Sequence, residues 1–579
     1  MRRATVLVVA MMAAVSPALA APGAPQTPVP SLPDLPNPKV ADAAEPGRYG
    51  GTFVVSSISD PRTFNPIVSQ ETSSPTGLLF EGLVETNRST AEVEPALAES
   101  WTVSQDGRTW RFKLRQGVRW TDGRPLSADD VVFTFDAAFT PGVQSSLPDV
   151  LTIAGKRIGY RKIDAATVEF RTEQPFGPFL RTIGVGIVPK HKLEAALRQG
   201  GAEFNKTWGI NTDPRELVGT GPFVLHAYLP GQRVLFVRNA RYWKVDRRGQ
   251  RLPYLARVVI EIVASTDAAR LRFQARETDY YAALPREYAE FRARQQAENF
   301  TIFDGPPTFG GDFLIFNQNP AGVRPPKLTW FQNVRFRQAV SHAIDRETII
   351  RQVYAGRATP RYGPESPANK AFYNPNVRKY PYDLARAEAL LREAGFAKGS
   401  DGLLRDSAGN VVEFALATNA GNKDREAIMN LVRQDLARLG MRVTPAPEAF
   451  NTLVGKLVGT YNWEAMILGL TGTLDPHNGQ NVWKSSGSLH AWWPKQEKPA
   501  TDWEAELDRL FDQAATTVDE RKRRQLYNRY QEIVAEYVPM IYFATPLTQP
   551  AFRNTLGNFS PAPLGAYDIE TIYYRTPYR

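Results

Sequence analysis

The chain is 579 residues long, with a formal net charge of +10, 42% hydrophobic residues and no cysteine. That length exceeds what one hydrophobic core serves and implies two or more domains, while the missing thiols exclude disulfides, a cysteine nucleophile and thiolate metal sites. The positive charge is spread singly, and its one run, Arg521-Lys522-Arg523-Arg524, reads as the solvated face of a helix, not as a nucleic-acid footprint.

The N-terminus has Arg2 and Arg3, an apolar run over residues 4–15, and Ser16-Pro17-Ala18-Leu19-Ala20. This is the pattern of a secretory signal and predicts cleavage after Ala20. Residues 21–46 are rich in Pro and Ala and read as an extended linker. No other segment is long and apolar enough to span a membrane. Folding begins near Gly50, with a first strand at Thr52-Phe53-Val54-Val55. Trp101 and Val103 end a later strand, Gln105-Asp106-Gly107-Arg108 is a turn, and Trp110, Phe112 and Leu114 alternate with Arg111, Lys113 and Arg115, the three basic residues being assigned to the solvent face. Ser127 and Asp130 have capping-box spacing ahead of a helix through Val131, Val132, Phe135 and Ala138. Gly219-Thr220-Gly221-Pro222-Phe223 opens another strand, followed by Arg238-Asn239-Ala240-Arg241-Tyr242-Trp243.

Breakers at Asp304-Gly305-Pro306-Pro307 precede a strand at Phe313-Leu314-Ile315-Phe316-Asn317 and read as a hinge crossing. Apolar residues at 336, 340, 343, 344 and 350 recur at helical spacing. Residues 382–395 form another helix with a glycine stop. Two amphipathic helices run through Trp503, Leu507, Leu510, Phe511 and Ala514 and through Leu526, Tyr530, Ile533, Val534 and Tyr537, with Trp503 assigned to the core. Val538-Pro539-Met540-Ile541-Tyr542-Phe543 then returns as a strand, read as the second crossing. Gly310-Gly311 and Ala544-Thr545-Pro546 are the hinge candidates.

The succession Leu97-Ala98-Glu99-Ser100-Trp101, Asp106-Gly107, Phe112 to Val118, and Asp122-Gly123 through Asp130-Val131-Val132 resembles the signature of the family 5 extracellular solute-binding proteins, the receptors of peptide, nickel and oligosaccharide ABC importers. The Gly-Thr-Gly-Pro-aromatic turn, the Arg-Asn-x-x-Tyr-Trp segment and Val334-Arg335 to Asp345-Arg346 resemble further family elements, from about Gly50 to the C-terminus. The resemblance implies an α/β, two-lobed periplasmic binding protein of the type II, large three-subdomain form, with a ligand cleft between lobes. In that division residues 47–306 form lobe I, with an inserted subdomain at about 85–215, residues 307–543 form lobe II, and residues 544–579 return to lobe I. It further implies a monomer that binds a small solute, oligopeptide first and oligosaccharide second, and delivers it to inner-membrane permease subunits with separate ATPase subunits. Many relatives are tethered by a lipid on a cysteine after the signal. With no cysteine, the resemblance implies release into the periplasm without a lipid anchor.

Catalytic chemistry has no support in the residues. The five histidines, His191, His226, His342, His477 and His490, form no His-x-x-x-His pair, and neither a P-loop nor a dinucleotide turn is present, so no metal, nucleotide or other cofactor is predicted. A secreted hydrolase, the rival from another class, would need a nucleophile and base that the sequence does not display.

The binding residues are sought in Leu468-Gly469-Leu470-Thr471-Gly472-Thr473-Leu474-Asp475-Pro476, which resembles the cleft loop of peptide receptors. That loop commonly reads Trp-x-x-Asp and then Asp-Pro, its first Asp holding the peptide ammonium. Here Leu470 stands at the Trp, Thr473 at the amine-binding Asp, and Asp475 at the Asp-Pro position. Either Asp475 has taken over the amine or the ligand is not a free peptide; Asp475 also reads as a turn residue bonding backbone amides. Trp483, Trp492 and Trp493, in a Ser- and Gly-rich loop, are candidates for stacking on sugars or aromatic side chains. Asn317 is a further candidate for a polar contact.

Overall fold

A computed structural model of the chain describes residues 35–576 apart from 42–44, 70–74, 154, 563 and 566. The predicted export signal and most of the linker lie outside the described residues. The predicted hairpin is formed by strands Ala98–Val103 and Thr109–Leu114, with Trp101 opposite Phe112 and Gly107 at φ 67° in the turn. Strands Thr167–Arg171 and Gly159–Asp164 extend it into a four-stranded antiparallel sheet. Helix Ala128–Phe139 begins as the capping box requires, the Asp130 carboxylate accepting from the Ser127 N–H at 3.0 Å. Arg115 corrects the solvent-face assignment. It is buried, donates Nε to the Ala96 carbonyl at 3.2 Å and lies over the Trp243 ring, because residues from outside the hairpin cover that end of the strand.

Lobe I is centred on a four-stranded sheet in the order Thr52–Ser57, Arg257–Ile262, Arg233–Arg238, Phe223–Leu229, whose first pair is parallel. The Asn239 side chain donates to the Gly221 carbonyl at 2.8 Å and so ties the two resembling segments together. Buried Lys244 binds Glu85 at 2.8 Å and Glu570 at 2.9 Å, fastening the C-terminal segment onto this lobe.

Lobe II holds a five-stranded sheet in the order Arg442–Glu448, Glu413–Asn419, Ala465–Leu470, Gly311–Phe316, Met540–Tyr542. The helical periodicity beyond residue 331 resolves into Lys327–Gln332, Val334–Ala343 and Arg346–Gln352, with Asn333 and Asp345 capping the second and third. Phe336, Val340, Ala343, Ile344 and Ile350 all enter the core, as their spacing requires. Trp503, on helix Asp502–Thr516, is core too.

The strand Met540–Tyr542 is a correction. It pairs antiparallel with Gly311–Phe316 inside lobe II, and Ala544–Pro546 then pairs with Ala358–Pro360. All three residues of the first strand are buried, which suits a covered sheet and not a bare connection. The chain crosses only afterwards, where residues 303–308 and 546–550 run antiparallel as a ribbon. Phe303 N–H donates to Pro550 O at 3.0 Å, Gly305 to Thr548 at 2.9 Å, Thr548 to Pro306 at 3.0 Å and Thr308 to Pro546 at 2.9 Å. Of the hinge candidates, Gly310-Gly311 lies just past the ribbon, with Gly311 already a strand residue, while Ala544–Pro546 is a strand whose last residue, Pro546, begins the ribbon.

The lobes touch across the cleft. Thr182 Oγ1 meets Asn478 Oδ1 at 2.9 Å, the Ser488 N–H donates to Asp149 Oδ2 at 2.9 Å, and His477 Nε2 donates to Val150 O at 2.8 Å. These contacts bridge the two lobes.

Candidate functional site: the interlobe cleft

Strand Ala465–Leu470 leaves the lobe II sheet into the loop singled out by the sequence, and its neighbour begins at Gly311, opposite Leu470. The two backbones press together there. A Cβ on Gly310 would lie 2.1 Å from Leu470 O, and one on Gly472, at φ +73°, would lie 2.4 Å from Phe309 O. Only glycine permits this approach. The floor it creates borders a cavity of about 560 Å³ between Pro307–Asp312, Gly469–Leu474, Pro546 and Thr548.

Three further chambers share walls with this one. A side pocket of about 280 Å³ enters lobe II behind Thr473, walled by Phe313, Leu457, Leu468, Val482, Trp483 and Leu489, with Arg361 and Glu365 as its charged residues. A chamber of about 560 Å³ lies along the crossing ribbon, against Thr266, Tyr280, Asp304, Asp424 and Gln549. A third, of about 960 Å³, opens between Arg181 of lobe I and Lys370, Asp475, Arg521 and Arg524 of lobe II.

The sequence candidates separate in this frame. Thr473 borders both the floor cavity and the side pocket, its hydroxyl donating to Asp475 O at 2.9 Å. Trp483 borders the side pocket. Trp492 is fully buried and donates its indole N–H to Glu504 at 3.0 Å, while Trp493 packs half-buried against the same core. Burial alone would raise the Glu504 carboxyl, but donors from His490, Trp492 and Gln496 outweigh it and hold the group down to about 2. Asn317 is buried and donates to Tyr461 O and Trp463 O at 2.9 and 2.8 Å, stapling a loop of lobe II.

Asp475 is 2% exposed and borders the largest chamber. Its carboxylate accepts from Arg523 Nη2 at 2.7 and 2.8 Å and from the His477 N–H at 3.1 Å. Arg523, assigned with its neighbours to a solvated face, is thus a buried ion-pair partner on the inner side of helix Glu520–Tyr537. The periodicity of that helix contained the signal: Arg523 shares a face with Tyr527 and Tyr530.

Sequence reasoning passed over Glu365, Arg361 and Gln549. Glu365 accepts from Asn369 Nδ2 at 3.0 Å and Tyr530 Oη at 3.4 Å, and burial raises its carboxyl above the usual range. Arg361 donates to Gly310 O and Gly363 O at 2.9 Å each and to Pro364 O, and lies 4.7 Å from the Tyr542 ring centre, which fixes one wall of the side pocket. Both sit in a Pro-rich loop with no periodic signal. Gln549 was detectable as a polar residue opening a buried strand.

No group of three or more His, Asp or Glu among the described residues could hold a metal ion. What the cleft offers is enclosure: apolar walls, a few polar groups and two lobes meeting over the contents. The family model for the middle of the bacterial extracellular solute-binding proteins, family 5, matches residues 92–490. The chain belongs to this family.

It is 30% identical over 549 residues to a probable ABC transporter-binding protein of Deinococcus radiodurans, covering 90% of this chain and 92% of the relative. It is 27% identical to the oligopeptide-binding protein AppA of Bacillus subtilis, over 90% of this chain and 91% of that one. The AppA structure, in complex with a nonapeptide, superposes with a TM-score of 0.78 at 25% identity, covering 92% of this chain and all of that one. The Agrobacterium fabrum protein MelB, in complex with stachyose, superposes with a TM-score of 0.80 at 22% identity, covering 94% and 86%. The fold of this family 5 protein is therefore that of the two-lobed periplasmic binding proteins, and its role is solute binding, not catalysis.

Proposed function

We propose that this protein is the periplasmic receptor of an ABC importer and that it captures peptide-like solutes bearing an apolar side group. The observation that supports the peptide reading is the side pocket behind Thr473. Its walls are the side chains of Phe313, Leu457, Leu468, Val482, Trp483 and Leu489, and its volume of about 280 Å³ suits one large side chain. An apolar group of Leu or Phe size gains about 1.5 to 3 kcal/mol on entering such a pocket. A sugar ring would find partners only in the few polar groups there, Arg361, Glu365, Thr473, Asn478 and Asn481, and each hydroxyl left against the apolar side chains costs about 1 to 3 kcal/mol. Closure of the lobes completes the enclosure, and the closed form is what a permease would recognise. The indole of Trp483 favours an oligosaccharide as the second reading, since it offers a face to stack on.

Titration calorimetry with Ala-Ala-Ala, Ala-Leu-Ala and Ala-Phe-Ala, beside a neutral tetrasaccharide, decides between them. The Leu or Phe tripeptide is expected to bind about 10- to 100-fold more tightly than the Ala one. Val482→Trp, which fills the pocket, should abolish that preference. Binding of the tetrasaccharide with no response to any tripeptide would replace the peptide reading by the sugar one.

A further inference from the structure

Resting on the peptide reading, we infer that the cleft takes a solute without a free ammonium: a neutral hydrogen-bonding end seated on Gln549 and Thr266, and an anionic end lying towards Arg181, Lys370, Arg521 and Arg524. The chemical class is an N-blocked peptide, or another amide-bearing carboxylate.

The argument is an inventory of which polar groups in the cleft are already engaged. Asp312 accepts from Arg425 at 3.0 Å, and Asp475 from Arg523 at 2.7 and 2.8 Å. Asp424 is paired with Arg286 and Asp304 with Arg357. The Thr473 hydroxyl is spent on Asp475 O. An ammonium entering here would have to displace a guanidinium from its carboxylate, since a hydroxyl or amide alone does not compensate a desolvated charge. Glu365, off in the side pocket, and the exposed Glu520, in the largest chamber, are the carboxylates on the inner walls with no Lys or Arg within ion-pair distance among the described residues.

The unengaged groups are of a different kind. Gln549 is 2% exposed, and among the described residues neither its amide oxygen nor its amide nitrogen has a partner; the buried Thr266 hydroxyl has none among them either. Both residues border the chamber along the crossing ribbon. Buried amides and hydroxyls are normally hydrogen-bonded, so these two side chains on one chamber wall suit a ligand group that both donates and accepts. A peptide or acyl amide does both; an ammonium only donates. At the other end, Arg181, Lys370, Arg521 and Arg524 line the largest chamber and form no ion pair among the described residues, against the single unpaired carboxylate of Glu520 on the same wall. Exposed cations of this kind steer an anion into a closing cleft more than they anchor it.

The test uses the full chain freed of bound solute and four forms of one tripeptide, Ala-Phe-Ala: free, N-acetylated, C-amidated and blocked at both ends. The N-acetylated form with a free carboxylate is expected to bind tightest, at least about tenfold over the free form, and amidation should weaken it several-fold, more at low salt. Gln549→Leu should cost the acetylated peptide about tenfold in affinity without lowering the thermal midpoint of the unliganded chain, because it removes the unpartnered atoms. A purely structural glutamine would instead show a lowered midpoint with affinity intact, which would overturn the assignment. Tighter binding of the free-amine form, lost in Glu365→Gln, would overturn it too and give the ammonium to Glu365. If none of the peptides binds, the peptide reading fails separately. The charge inference is then read from neutral maltotetraose against a glucosamine tetramer: preference for the neutral sugar sustains it, and preference for the amine refutes it.

Discussion

Asp475 shows how one side chain can look like a ligand-binding group and be occupied otherwise. Its carboxylate and the Arg523 guanidinium are 3% and 6% exposed and meet at 2.7 Å, so each charge is compensated inside the protein. Burial would lower the arginine, but the facing carboxylate outweighs it and raises it. Removing one member leaves the other charge buried and unpaired, which costs about 3 to 5 kcal/mol, whereas replacing both by apolar residues is often nearly neutral. Asp475→Asn and Arg523→Met should therefore each lower stability by about that amount in urea unfolding, with the double variant Asp475→Leu, Arg523→Met recovering most of it. If Asp475→Asn keeps full stability and loses only affinity, the carboxylate serves the solute and not the fold.

At the scale of elements, what could be read from the chain was whatever local pattern determines. Alternation placed Phe112 and Leu114 inside, the Asp-Gly turn closed the hairpin, and the Ser127 and Asp130 spacing started a helix where one stands. What could not be read depends on partners distant in sequence. Arg115 obeys the alternation of its strand only until Trp243 closes over it, and the second crossing is shifted because Ala544–Pro546 finds Ala358–Pro360. The cleft loop was legible as a loop, and Thr473 and Trp483 do border cavities, but nothing local told Trp483 from Trp492. The shape of that loop rests on Gly472. Alanine there must adopt a positive φ and bring its Cβ to 2.4 Å from Phe309 O, so Gly472→Ala should destabilise by about 1 to 3 kcal/mol and displace the cleft floor. Thermal unfolding with a parallel titration checks this. Gly455→Ala, where a Cβ meets open space, is the control and should be neutral.

For the whole molecule, the contact that closes the lobes contains a histidine that resists protonation. His477 is fully buried between Phe176, whose ring lies 4.9 Å away edge-on, and the Val150 carbonyl that receives its Nε2–H, while Nδ1 has no partner among the described residues. Desolvation, the largest cause, lowers it from 6.5 to about 4, with Arg523 and Lys484 adding to the shift and Asp475 opposing it. Closed molecules therefore keep the ring neutral, unfolded ones take a proton below about pH 6.5, and opening that wets the ring shifts it the same way. The stabilisation is complete above that pH and is lost as pH falls from 6.5 to 4, by about 3 kcal/mol in all at 1.36 kcal/mol per pKa unit. Buried carboxyls act in the other direction. Asp149, on the same interface, is raised by burial above its usual 3.8 and gains from acid as it takes its proton. Glu81, pushed up to about 7 by burial, and Asp279, pushed up to about 6 by burial, favour the folded state as pH drops towards the carboxylate range, but both lie inside lobe I, Glu81 against Tyr242 and Trp243 and Asp279 accepting from the Val54 N–H, and are indifferent to lobe opening. Global melting should thus not fall between pH 7 and 5, because Glu81 and Asp279 offset the loss at His477, while at the lobe contact His477 is the group that disfavours closure as pH falls. Small-angle scattering of the unliganded chain is expected to show a larger radius at pH 5 than at pH 7. His477→Gln, which can keep a donor to Val150 without a titrating ring, should remove that difference. An unchanged radius across this range would show that the interlobe contact does not depend on a neutral His477.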